Sequence, residues 1–193
     1  MATVLTRVHS TDGRNGGAVK HLEGPNELFR AWLIHDIEEA IAFPSTCDDL
    51  AARTGIGPLR MTAAQSWLAV TIAGLGVRYA CRRGTASKGR SRVYRGAVAG
   101  LELHVFTHLL ASLLRRSYTA GVVTAPLVML PGAWRARQEL AALGRPLGLV
   151  DALRGIGFLM PLAIVSHGLA RLVLPRARWL GARRHEPELG LTV

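Results

Sequence analysis

The sequence is poor in charge, in aromatic residues and in cysteine. Asp, Glu, Lys and Arg together make up 19% of its 193 residues, where an ordinary soluble domain carries roughly 25%. Two cysteines, Cys47 and Cys81, allow neither a disulfide framework nor a cysteine-based zinc site. With only 4 Phe and 3 Tyr, stacking on nucleic-acid bases is badly provided for. The formal net charge of +11, from 24 Lys and Arg against 13 Asp and Glu, would otherwise suggest such a partner. The basic residues, however, gather in short clusters between apolar runs and not along one helical face, so no nucleic-acid partner is expected. Catalytic signatures are missing too. There is no H-E-x-x-H metalloprotease motif and no G-x-S-x-G, and neither cysteine has a helical histidine near it in sequence. Of the 7 histidines, His9, His21 and His185 lie near the ends, which leaves too few for a histidine-box di-iron oxygenase.

What the chain does have is long apolar runs: 49% of it is hydrophobic and its mean hydropathy is +0.22. The length suits one domain. Residues 1–26 are polar and turn-rich, without the apolar core of a secretory signal peptide, and read as a flexible leader. A first helix is expected over Glu27–Phe43, opened at Pro25 or Asn26 and closed at Pro44-Ser45. Residues 44–60 read as a loop with at most one short helical turn. Met61–Val77 contains no charge, and a basic, solvated loop is expected over Arg78–Arg95. Val93–Leu114 is apolar except for Arg95 at its mouth and Glu102, His104 and His108 within, and ends at Arg115-Arg116. Ser117–Trp134 is uncharged but must bend at Gly121, Pro126 and Pro131. After a basic loop holding Arg135, Arg137 and Arg145, the last run, Gly155–Ala170, continues to Leu174.

Apolar runs with arginine clusters at every exit describe an all-α, polytopic membrane bundle of about five transmembrane helices. The domain plan is a leader (1–26), a helical membrane domain (27–175) and a basic tail (176–193). Small residues such as Gly74, Gly76, Gly155 and Gly157 suit close helix packing in lipid. The runs are shorter or more interrupted than ideal spans, so a soluble bundle of buried helices is the competing architecture. The Lys/Arg bias places the N-terminus in the cytoplasm, although the basic tail pulls the other way.

The most informative stretch is Leu33–Phe43, LIHDIEEAIAF. On a helix His35 shares a face with Glu38 and Glu39, an arrangement that ligates a divalent cation or makes a base with its orienting partner. An amphipathic helix with a wet acidic face has the same pattern. His104 and His108, four apart, also share a face, as two imidazole ligands to one metal do. Glu102 faces elsewhere and reads as the partner of an arginine. His167 reads as a packed or interfacial histidine. With five spans, helices one, three and five run the same way, which brings these groups to similar depth, where ionisable side chains must face the interior and find partners.

The combination of His35-x-x-Glu38-Glu39 with His108, Tyr118, Gly121 and Thr124 at their spacings resembles the HXXEE family of bacterial integral membrane proteins, over roughly residues 28–135. The resemblance implies a multi-span protein of the bacterial plasma membrane with a site on those residues. In two places the sequence departs from the pattern: Ala120 stands where the family tends to have proline, and His104 where a polar, asparagine-like residue is more usual. The most concrete enzyme reading is a metal-dependent membrane hydrolase acting on a lipid or other membrane-embedded substrate. In it His35, Glu39 and His108 hold zinc, iron or manganese, with His104 as a fourth ligand. Glu38 then deprotonates a water, and Tyr118 or Thr124 hydrogen-bonds the developing oxyanion. The alternative is a non-catalytic transporter or ion- or proton-binding module that uses the same cluster. Tyr118 has a competing reading as an interface anchor.

Overall fold

Pro25 lies in the first turn of the first helix, α1 (Gly24–Thr54), where its missing N–H costs nothing. The computed structural model describes residues 22–174. The helix start is completed from afar: Glu139 accepts the amides of Glu23 and Gly24 at 2.9 and 2.8 Å, placing a carboxylate at the positive end of the helix dipole. α1 does not stop at Pro44. It runs through the proline to Thr54, so the loop expected over 44–60 shrinks to its last residues, which include a short 3-10 turn at Gly57–Leu59. An interior proline costs a helix about 3 kcal/mol. Just beyond it the hydroxyls of Ser45 and Thr46 donate to the Ala42 carbonyl, one turn back on the helix. The helix ends where Gly55 takes a left-handed conformation and its N–H bonds to Ala51.

α2 (Ala63–Ala86) begins with a reciprocal cap between Thr62 and Gln65. It extends well past Val77, so most of the expected Arg78–Arg95 loop is helix, and only residues 87–91 separate it from α3 (Arg92–Arg115). After α3 the chain turns through residues 116–124, forms one π-helical turn at Ala125–Met129 and enters α4 (Leu130–Ala142). The bending expected of this segment is present, while Arg135 and Arg137 sit on α4 and not in a loop. α5 (Leu149–Val173) completes the fold. Among the described residues there are five α-helices and no strand. The chain is all-α. Two of the helices, α3 and α5, are long and apolar enough to cross a membrane. The leader expected over 1–26 begins to be helical at Gly24; residues 1–21 and the 176–193 tail lie outside the described residues.

The main core lies at one end of the bundle, where Leu28, Tyr94, Val98, Met129, Ala133 and Leu140 are fully buried. A smaller cluster around Cys47, Met61, Ala69 and Ala170 closes the other end. Two ion pairs tie the helices together. Glu102 on α3 meets Arg137 on α4 through a bidentate carboxylate, the arginine partnership expected of it. Arg95 bonds both oxygens of Asp151 and the carbonyls of Arg145 and Pro146, fastening the start of α3 to the α4–α5 connection.

α3 and α5 cross where both are reduced to backbone. A methyl on Gly155 would lie 2.4 Å from the Gly96 carbonyl oxygen and 2.7 Å from the Gly100 Cα. Gly155→Ala is therefore expected to destabilise the protein by about 1–3 kcal/mol through overpacking. Gly157→Ala, whose methyl meets open space, should be neutral or stabilising by up to about 1 kcal/mol from helix propensity. Thermal unfolding in detergent checks both, and equal midpoints for the two variants would refute the crossing.

Candidate metal centre

The helical spacing of His35 and Glu39 on α1, and of His104 and His108 on α3, points two pairs of side chains at one another. One ligand atom from each of the four lies within 4.8 Å of all the others. His35 is fully buried, His108 nearly so, and His104 and Glu39 are half-buried. The ring centroids are 4.4 Å apart for His104–His108, 4.7 Å for His35–His108 and 5.9 Å for His35–His104. Glu39 Oε1 stands 3.6 Å from His108 Nε2.

The hydrogen bonds assign the tautomers. His108 Nδ1 lies 2.9 Å from the Ala120 carbonyl, which can only accept, so Nδ1 carries the proton and Nε2 a lone pair. The Thr107 hydroxyl donates to the His104 carbonyl at 2.7 Å and so accepts from His104 Nδ1 at 3.1 Å. At His35 the same order holds. Thr124 Oγ1 donates to Glu38 Oε2 at 2.6 Å and accepts from His35 Nδ1 at 3.1 Å. His35 Nε2 is buried and has no protein partner. Thus all three rings are held through Nδ1–H and turn an Nε2 lone pair inward, two of them only 3.0 Å apart. Lone pairs facing at that distance repel unless a cation or proton lies between them. Metal-ligating histidines are anchored this way, with the other ring nitrogen on a carbonyl or a carboxylate relay.

Glu38 takes a different place from its neighbour. Its carboxylate accepts three bonds: Tyr118 OH at 2.6 Å, Thr124 N at 2.8 Å and Thr124 Oγ1 at 2.6 Å. It clamps the 118–124 turn onto α1 and orients His35 through Thr124. Glu38, expected to act as a general base, is engaged by these three bonds, and the hydroxyls of Tyr118 and Thr124, expected to meet an oxyanion, donate to Glu38. The turn is also pinned by Ala120 N, which donates to Thr46 Oγ1 at 3.2 Å.

Gly121 lies between the rings with φ 82°.

A cavity of about 610 Å³ borders the cluster, and Glu39, His104 and Asp36 form part of its wall. Sequence reasoning gave Asp36 no role in the site. Three residues before Glu39 it shares that helix face, and although only 5% exposed it lines the cavity. The only available signal was that spacing. His167 lines the same cavity, with its ring 4.9 Å from Phe43 and its Nδ1 buried without a partner. It does not belong to the four-residue group.

Fold and site together define an all-helical protein with a three-histidine, one-glutamate cluster that could hold a metal ion. The family model described as a protein of unknown function with HXXEE motif matches residues 28–135, more than half of the chain, and the chain belongs to that family. Its motif is His35, Glu38 and Glu39. No curated protein and no solved structure matches the chain.

A methyl group on Gly121 would come within 2.6 Å of His35 Cε1 and 2.7 Å of His108 Cε1. Gly121→Ala is expected to cost about 1–2 kcal/mol from the left-handed backbone alone. Moving two packed rings adds about 1–3 kcal/mol more. Chemical or thermal unfolding measures the sum; a loss below that of the backbone term would show that the turn does not rest on the rings.

Proposed function

We propose that the protein is an integral-membrane, metal-dependent enzyme of hydrolase type, in which His35, His104, His108 and Glu39 hold a divalent cation. The observation that carries this reading is the anchoring of all three imidazoles through Nδ1, which leaves the Nε2 lone pairs converging beside Glu39. Nitrogen and oxygen donors in this number suit zinc, iron or manganese. A cation there would supply Lewis-acid chemistry and water activation. Asp36, which lines the cavity on the same α1 face as Glu39, would be the proton-accepting carboxyl, and Glu38 a positioning residue acting through Thr124.

The membrane part of the reading rests on where apolar side chains are exposed. Only 11% of the most apolar stretch of α5 is buried, which supports contact of α5 with lipid. Ile34, Ile37 and Ile41 on α1 and Phe106 and Leu110 on α3 also face outward at mid-helix. Lys and Arg collect at the helix ends, more of them beside the α2–α3 and α4–α5 connections than at the opposite end, and the five-helix chain is read as crossing a bacterial plasma membrane with that richer end in the cytoplasm. The non-helical 116–124 turn is tolerable at depth because Thr119, Ala120 and Gly121 are buried in protein.

A second reading, a non-catalytic ion site, is favoured by the donor count, because four protein ligands complete a tetrahedral zinc shell and catalytic zinc keeps a position open. Metal analysis by mass spectrometry on detergent-purified protein is the primary test. Near-stoichiometric metal is expected, lost in His35→Ala and His108→Ala, and weakened about 10–100-fold in affinity in Glu38→Gln. Asp36→Asn should keep the metal; loss of turnover in that variant marks the enzyme, and a change in metal affinity alone marks the ion site. Folded wild-type protein that takes up no zinc, iron or manganese on reconstitution would end the metal proposal.

A further inference from the structure

The cavity beside the cluster is itself polarised along the bundle. At the end near the main core its walls are Trp32, Val77, Gly100, Leu101, Gly155 and Leu159. Toward the other end they become Glu39, Ser66, His104, Thr107, Ser166 and His167. On α5 the lining runs from Gly155 to His167, about 18 Å at 1.5 Å per residue. The volume of about 610 Å³ is that of a ligand pocket, which typically spans about 300–1,000 Å³.

The apolar end is closed and the side is not. α3 and α5 touch backbone to backbone at Gly96, Gly100 and Gly155, which seals that end. Beyond the crossing, lining residues on both helices are exposed on the outer surface: Leu103 and Thr107 on α3, Met160 and Ala163 on α5. The cavity is thus walled on one side by α3 and α5, the two helices most suited to a lipid environment, with lining residues that also reach the surface.

We infer that this cavity takes an amphiphile with one long apolar chain, which enters sideways between α3 and α5, lies with its tail toward the Gly100–Gly155 crossing and presents its polar head to the His/Glu cluster. The assignment of the cluster as the reacting end rests on the metal-enzyme reading above; the chain site does not. A water-soluble substrate would leave its polar groups unpaired against the apolar walls, whereas an apolar chain already in lipid fills them without a desolvation penalty and needs no passage through water.

Trp32 provides the reporter, since it lines the cavity and is 5% exposed while Trp67 and Trp134 face outward. The experiment uses full-length protein carrying Trp67→Phe, Trp134→Phe and Trp179→Phe in lipid nanodiscs, titrated with brominated stearate. Saturable quenching of Trp32, reversed by unbrominated stearate and unchanged after EDTA treatment, is the expected result. Filling the cavity with Ala73→Phe, or independently with Val70→Phe, should raise the half-saturating concentration about tenfold or more. Quenching that rises without saturation, or that is unaffected by both substitutions in variants that unfold at the wild-type temperature, would overturn the inference. Protein that quenches saturably yet never takes up metal would leave the chain site standing and remove only the reacting end.

Discussion

The hold of Glu38 on the 118–124 turn is the interaction on which the rest of the site depends. α1 and α3 pack little against each other along the site, and the turn spans the gap between them. One carboxylate accepts the Tyr118 hydroxyl, the Thr124 amide and the Thr124 hydroxyl. Thr124 in turn holds His35, and the Ala120 carbonyl of the same turn holds His108. Two histidines from two helices thus take their orientation from one loop, and that loop takes its position from one glutamate. Charge-assisted bonds of this length are the strong class of hydrogen bond, roughly twice a neutral pair.

The two adjacent glutamates of the motif therefore divide the work by helix geometry. Residues 38 and 39 are about 100° apart around α1. Glu39 faces inward with His35 toward the α3 histidines, and Glu38 faces the turn. A motif with a single glutamate could supply a ligand or a clamp, and this site uses both. Gly121 completes the arrangement because only a residue without Cβ fits between the rings at that backbone angle.

The cavity follows from the way the helices are spaced. Glycines bring α3 and α5 into backbone contact at one end, and the Glu102–Arg137 and Arg95–Asp151 pairs hold α4 and the α4–α5 connection there. At the other end Phe43 meets His167, and a small apolar cluster joins α1, α2 and α5. Between these closures lies a space with Glu39 and His104 of the His/Glu group in its wall. Fold and chemistry are linked at that point: the same α1 face that carries Glu39 also presents Trp32, Asp36 and Phe43 to the cavity.

The sequence by itself determined the helical class, the uncharged runs and the identity of the motif residues, because these depend on composition and on spacing within one element. Helix ends were less legible. Pro44 and the basic stretch after Val77 carry strong local signals for loop, yet the helices continue through both, with Cys47 and Ala51 after the proline and Ala80, Cys81 and Gly84 in the basic stretch buried against neighbours. Only the tertiary structure decided that Glu38 holds the turn, that Tyr118 and Thr124 donate to it, and that Asp36 lines a cavity. Those roles depend on which atoms from residues some seventy to ninety positions away arrive within hydrogen-bond reach, and no periodicity within a single helix encodes that.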